Sequence, residues 1–166
     1  MDRSKYIAKG GFFTSLTVII LYVSSIIPTS KLTLLSITTS IISISILSIN
    51  IRSSFIVYMA SFILSFILGL KGLSITYLLF FGLYAFIKYY IEGLRKLFLE
   101  LLLKLTFFNV SMLILFYIYK HMLPHIPSIN IPYYILLIIL QIIFIIFDYA
   151  LTLIIYKINI HIKKIT

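Results

Sequence analysis

Apolar side chains in this chain come in near-continuous runs of fifteen to twenty-five residues, separated by short polar stretches. The runs lie near 12–27, 32–49, 55–70, 73–87, 101–119 and 132–156. A bilayer's hydrocarbon core takes roughly 20 helical residues to cross, whereas a membrane barrel needs strands of about ten that alternate apolar and polar. The runs do not alternate, and within lipid a helix satisfies its own backbone polar groups. The pattern therefore predicts an all-α fold, a polytopic bundle of about six transmembrane helices forming one integral membrane domain over 1–166. The connections are Pro28-Thr29-Ser30-Lys31, Asn50-Ile51-Arg52, Lys71-Gly72, a charged stretch from Lys88 to Glu100, and 121–131. The basic start ahead of the first run has the look of a signal peptide, but no small-residue cleavage site follows and more spans do, so a retained first helix is expected.

Orientation follows from where lysine and arginine fall, because cytoplasmic loops carry the excess. With six spans and the N-terminus inside, eleven of the fourteen basic residues lie on the inner side, and only Lys31, Lys71 and Lys120 on the outer. An odd span count would put Lys157, Lys163 and Lys164 outside and weaken the bias. The expectation is a multi-pass protein of the cell membrane with both termini cytoplasmic.

Between the fourth and fifth runs, Lys88, Glu92, Lys96, Glu100 and Lys104 recur every four residues with alternating sign, opposite Leu94, Leu97, Phe98, Leu101 and Leu102. On a helix this makes a self-compensating charged stripe with an apolar back. The segment 88–100 is expected to be one amphipathic helix lying in the cytoplasmic interface. The alternative is a docking surface for a partner through Lys88, Glu92, Arg95, Lys96 and Glu100.

Composition narrows the function classes. The chain is 62% hydrophobic and 11% charged, where a soluble domain carries about 25% charged residues. Its formal charge of +10 is spread through short loops and makes no single basic face, so it reads as a topology signal and not as a nucleic-acid surface. Without cysteine there is no disulfide, thiolate metal site or thiol nucleophile. His121 and His125 are four apart, but Pro124 lies between them and no carboxylate is near, so no metal site is expected. No paired carboxylates, nucleophile elbow or phosphate loop occurs, and neither an enzyme nor a cofactor is expected. Lysine over arginine and abundant isoleucine suit an AT-rich bacterial genome.

Small residues mark close helix contacts. Ser36 and Ser40 in the second run, and Ser61, Ser65 and Gly69 at four-residue steps in the third, are read as packing positions where backbones approach. Asp148 is the one acid deep in an apolar run, Phe144-Ile145-Ile146-Phe147-Asp148. A charge there is costly, so the side chain should face protein or water. Gln141 and Thr152 share its helical face and Tyr134 extends it. With no basic partner identified in mid-membrane, Asp148 is expected to be protonated and hydrogen-bonded; a ligand-binding role and a helix-pairing role both stay open. Tyr77, Phe81, Tyr84 and Lys88 form an aromatic stripe on the fourth run. Tyr77, Tyr84, Gln141 and Asp148 are the candidate substrate-lining residues.

The opening helix ending in Ser24-Ser25-Ile26-Ile27-Pro28-Thr29, the short second and third spans, and about six helices in under 200 residues resemble the substrate-binding S component of energy-coupling factor vitamin transporters. The run Phe80-Phe81-Gly82-x-Tyr84…Lys88…Glu92 is also similar to small multi-spanning clostridial proteins. The resemblance implies a small-solute uptake component without its own ATPase, working with a coupling module or other membrane subunits, and no binding residue is carried over from it. The alternative expectation is a non-transporting assembly subunit of a membrane complex.

Overall fold

Six helices follow one another in a computed structural model that describes the backbone of residues 3–122 and 133–165. They are α1 (Arg3–Ile26), α2 (Lys31–Ser48), α3 (Ile51–Ile67), α4 (Lys71–Glu92), α5 (Leu97–Met122) and α6 (Tyr133–Ile165). His125 and the side chain of Tyr134 lie outside the described residues. No strand occurs among the described residues, and the architecture is an all-α helical bundle. Five of the helices are long and apolar enough to cross a membrane, while α3 is a shorter apolar helix of 17 residues. Their outer faces carry bare apolar side chains such as Leu97, Phe98, Leu113, Ile138 and Ile146. In lipid that arrangement has no hydrophobic penalty.

The helix ends follow from local chemistry. Asn50 caps α3, its side-chain oxygen accepting from the Ser53 amide at 2.8 Å, which satisfies one of the orphan donors of the first turn. At the other end Gly69 sits at φ 82°. Its amide donates to Phe66 and that of Leu70 to Ser65, the paired bonds of a left-handed helix stop that glycine adopts without strain. Gly69 therefore ends α3 and opens the turn to α4. A side chain there would meet no atom within 4 Å, so the glycine is not one of the close-packing positions suggested by its spacing.

Pairwise contacts fix the directions of the helices. Ser45 of α2 bonds Ser54 of α3 at 2.8 Å, and Ser65 of α3 accepts from Ser74 of α4 at 2.9 Å. Thr76 of α4 meets Tyr119 of α5 at 2.8 Å. Phe80 packs on Phe144, and Lys88 contacts Asp148 and Thr152. Hence α4 and α6 run parallel and α5 runs against both. The turns after α2 and α4 lie at the same end of the bundle as Arg52, Lys88, Arg95, Lys96 and Lys104.

One irregularity shapes the interior. Over Tyr77–Gly82 the helix α4 widens into π geometry, which frees backbone carbonyls from the regular ladder. Two neighbours use them: the Tyr58 hydroxyl donates to Leu78 O at 2.7 Å, and the Thr39 hydroxyl donates to Phe81 O at 2.9 Å. Gly82 is required at this crossing, because a Cβ there would stand 2.5 Å from the Tyr58 ring.

The segment 88–100 is not one interfacial helix. Its first part is the end of α4, a turn follows through Gly93 and Leu94, Arg95 takes φ 54°, and α5 begins at Leu97. Of the expected four-residue charge pairs, Lys88 with Glu92 forms at 2.7 Å within α4. The left-handed residue Arg95 breaks the stripe and folds Lys104 back towards Lys88.

Candidate functional site

Where α4, α5 and α6 meet, four charged side chains close into a ring of alternating sign. Lys88 contacts Glu92 at 2.7 Å, Glu92 contacts Lys104 at 3.1 Å, and Lys104 contacts Asp148 at 2.8 Å. Asp148 closes the ring through a short contact with Lys88. Lys88 is 1% exposed and Lys104 is 7% exposed. Burying an ion is expensive unless its partners and hydrogen bonds are complete, and here they are nearly so. The Lys88 ammonium donates to Asp148, to Glu92 and, at 2.7 Å, to the Thr152 hydroxyl, using its three donors. Asp148 receives the Tyr84 hydroxyl at 2.6 Å on the oxygen that Lys88 also contacts, and Lys104 on the other. Glu92 meets both lysines through the same oxygen.

The ring stands near one end of the bundle. Lys88 precedes the end of α4 by four residues, about 6 Å of helix. On the side facing the middle of the bundle the ring is covered by aromatic side chains. Tyr84 stacks on Phe107 at 5.8 Å between centroids, Phe108 stacks on Phe144 at 4.5 Å, and Tyr84 meets Phe144 edge-on at 5.3 Å. Such pairs add about 0.5–1.5 kcal/mol each beyond their buried area. On the other side opens a cleft of about 630 Å³, bounded by α2, α4, the turn after α4, and α6. Lys88, Glu92, Arg95, Asn159 and Ser43 supply its polar groups. A smaller crevice of about 150 Å³ between α5 and α6 reaches Asp148, Lys104 and Glu100 past Leu101 and Ile145. The ring is thus a shared wall between two openings.

Of the four candidate substrate-lining residues, the structure brings Tyr84 and Asp148 together and leaves the other two apart. Tyr77 is fully buried against Tyr58, with its hydroxyl unpartnered among the described residues. Gln141 is half-buried on α6, two turns before Asp148 and beyond the Phe144 layer. Asp148 does not stand without a basic partner: the ammonium groups of Lys88 and Lys104 flank it. Among the docking candidates, Lys88 is buried in the ring and Glu92 is half-buried, while Arg95 and Lys96 are exposed and Glu100 lines the small crevice. Of the packing serines, Ser61 and Ser65 are fully buried and Ser40 nearly so; Ser36 is half-buried and donates to Leu32 O of its own helix. No group of three or more metal-ligating side chains gathers among the described residues, and His121 is exposed against Tyr117.

Lys104 is the site residue that sequence reasoning placed at the membrane surface. The signal was present: a lysine inside the fifth apolar run and an acid inside the sixth are each costly alone and cheap together. No family model, curated protein or solved structure matches the chain.

Proposed function

We propose that this chain is an integral membrane component that binds a small solute in the cleft above the Lys88–Glu92–Lys104–Asp148 ring, with both termini in the cytoplasm. The observation that carries this reading is the coincidence of a cleft of about 630 Å³ with the buried charges of the chain. Ligand sites are concave, about 300–1,000 Å³, mostly apolar, and carry a few convergent polar groups. Ionisable side chains within a membrane bundle mark solute or ion pathways more often than other positions do. Tyr84 and Thr152 orient the ring, Lys88 and Glu92 face the cleft, and the aromatic layer closes it towards the bilayer centre. The chain carries no nucleotide-binding motif, so uptake would draw its energy from a gradient or from a separate coupling subunit.

A second reading, an assembly subunit of a membrane complex, is favoured by the completeness of the ring, which ties three helices together without needing a ligand. Gentle detergent extraction followed by mass spectrometry of retained small molecules and proteins separates the two. A stoichiometric small molecule lost on cleft substitution supports solute binding; a stoichiometric membrane partner with an empty cleft overturns it in favour of assembly.

A further inference from the structure

The cleft's chemistry assigns a class of ligand, and this inference rests on the solute-binding reading above. We propose that the cleft takes a small organic anion with a compact apolar body, its anionic group held between Arg95 and Lys88 in the position that Glu92 occupies in the closed ring.

The cleft wall carries the Lys88 ammonium and the Arg95 guanidinium against the single Glu92 carboxylate. Lys88 is already paired with Glu92 and Asp148, so the charge left over is the exposed Arg95 guanidinium at the mouth, which repels a cation and attracts an anion. Guanidinium also offers a planar fork matched to carboxylate or phosphate oxygens. Arg95 is the one described non-glycine residue with positive φ, 54°, a conformation that non-glycine residues adopt only when the surroundings over-determine it. The turn thereby places Arg95 at the mouth of the cleft.

The second step concerns Glu92. It is about one-third exposed, while the lysines it contacts are nearly sealed. It is also bonded to both lysines through one oxygen. Glu92 is thus the most exposed member of the ring, and it holds Lys88 as a ligand carboxylate would. An entering anion can take its place on Lys88 while Glu92 keeps Lys104, so that no ammonium is left unpaired. The third step is shape. Ile46, Leu47, Ala85 and Ile155 line the remaining wall, with Tyr89 and Tyr90 at the lip. These surfaces favour an apolar body over a sugar or an inorganic ion. The headgroup of an anionic lipid shares the same chemistry, and the test separates the two sources.

The experiment measures thermal stabilisation of the full chain, purified in neutral detergent, by benzoate, benzamide and benzylamine at equal concentration. Benzoate should stabilise in a saturable way, and neither benzamide nor benzylamine should match it. Arg95→Gln, at an exposed turn position, should fold with unchanged unliganded Tm and weaken benzoate at least tenfold. Lys96→Gln, one residue away and not part of the cleft, should leave binding unaltered. Lys88→Gln is the direct variant but risks the fold, which is why Arg95 carries the test. In nanodiscs, loss of benzoate binding on replacing phosphatidylcholine with phosphatidylglycerol would assign the site to lipid headgroups, and retained binding to a free anion. Equal or better stabilisation by benzamide or benzylamine, lost on cleft substitution, overturns the anion assignment while leaving solute binding intact. No stabilisation by any of the three, with no retained small molecule by mass spectrometry, overturns both.

Discussion

The two halves of the bundle are held by opposite means. Helices α1, α2 and α3 pack through hydroxyls and small side chains. Thr17, Ser24, Thr38, Thr39, Ser45, Ser54, Ser61 and Ser65 are all buried there, and no buried charge occurs among the described residues. Four of these eight hydroxyls donate to a carbonyl about one turn back, as Thr17 does to Phe13 and Ser61 to Val57; Thr39 donates to Phe81 O, Ser45 and Ser54 bond each other, and Ser24 has no partner among the described residues. The locally bonded ones act chiefly by being small. Helices α4, α5 and α6 instead meet through large rings and full charges, with Phe80, Tyr84, Phe107, Phe108 and Phe144 above the four-charge ring. Lipid offers no hydrophobic drive for helix association, so each half needs another source of cohesion. Close backbone approach serves the first, and directional pairing serves the second. The larger cleft lies where the halves meet, bounded by α2 of the first and by α4 and α6 of the second, and the smaller crevice lies between α5 and α6.

The sharpest way to break this contrast is to unbalance the ring. Asp148→Asn keeps the size and the hydrogen bond from Tyr84 but leaves two buried ammonium groups facing one carboxylate. The expected loss is about 3–5 kcal/mol, the range for removing one partner of a buried ion pair, read as unfolding in detergent by near-ultraviolet circular dichroism. Adding Lys104→Met restores neutrality and should recover at least about 1 kcal/mol, a coupling that separated sites do not show. Additive losses would mean that the ring does not act as a unit.

A smaller effect probes the first half. Ser61→Leu places a branched side chain at a fully buried helix contact, and overpacking of that kind costs about 1–3 kcal/mol. Equal stability of wild type and variant in a thermal melt would show that this face does not depend on close approach.

The smallest effect tests whether hydroxyl pairing between helices adds to size alone. Ser45→Ala removes one partner of the 2.8 Å bond to Ser54 and should cost about 0.5–1 kcal/mol, the scale of interhelical hydrogen bonds in lipid. A loss comparable to that of Asp148→Asn would erase the distinction between the halves.

By itself the sequence determined the helices. Runs such as 32–49 and 101–119 correspond to Lys31–Ser48 and Leu97–Met122, because the length of an apolar run is a local property and lipid leaves the backbone no other way to satisfy itself. It also determined that Asp148 needed company, since an acid among isoleucines and phenylalanines is costly wherever the helix lies. Tertiary structure decided who that company would be. Lys88, Glu92, Lys104 and Asp148 come from three helices, and their meeting depends on the rotation of each helix about its axis. That rotation is set partly by the widened turn at Tyr77–Gly82. It aims Tyr77 at Tyr58 of α3 and, two turns on, Tyr84 at Phe144 and Asp148 of α6. Counting by 3.6 places Tyr77, Tyr84 and Lys88 on one stripe, yet the partners change along it, because a π turn shifts the register of everything after it. The same limit applies to Gly69, whose spacing matches a packing motif while its backbone angle ends a helix.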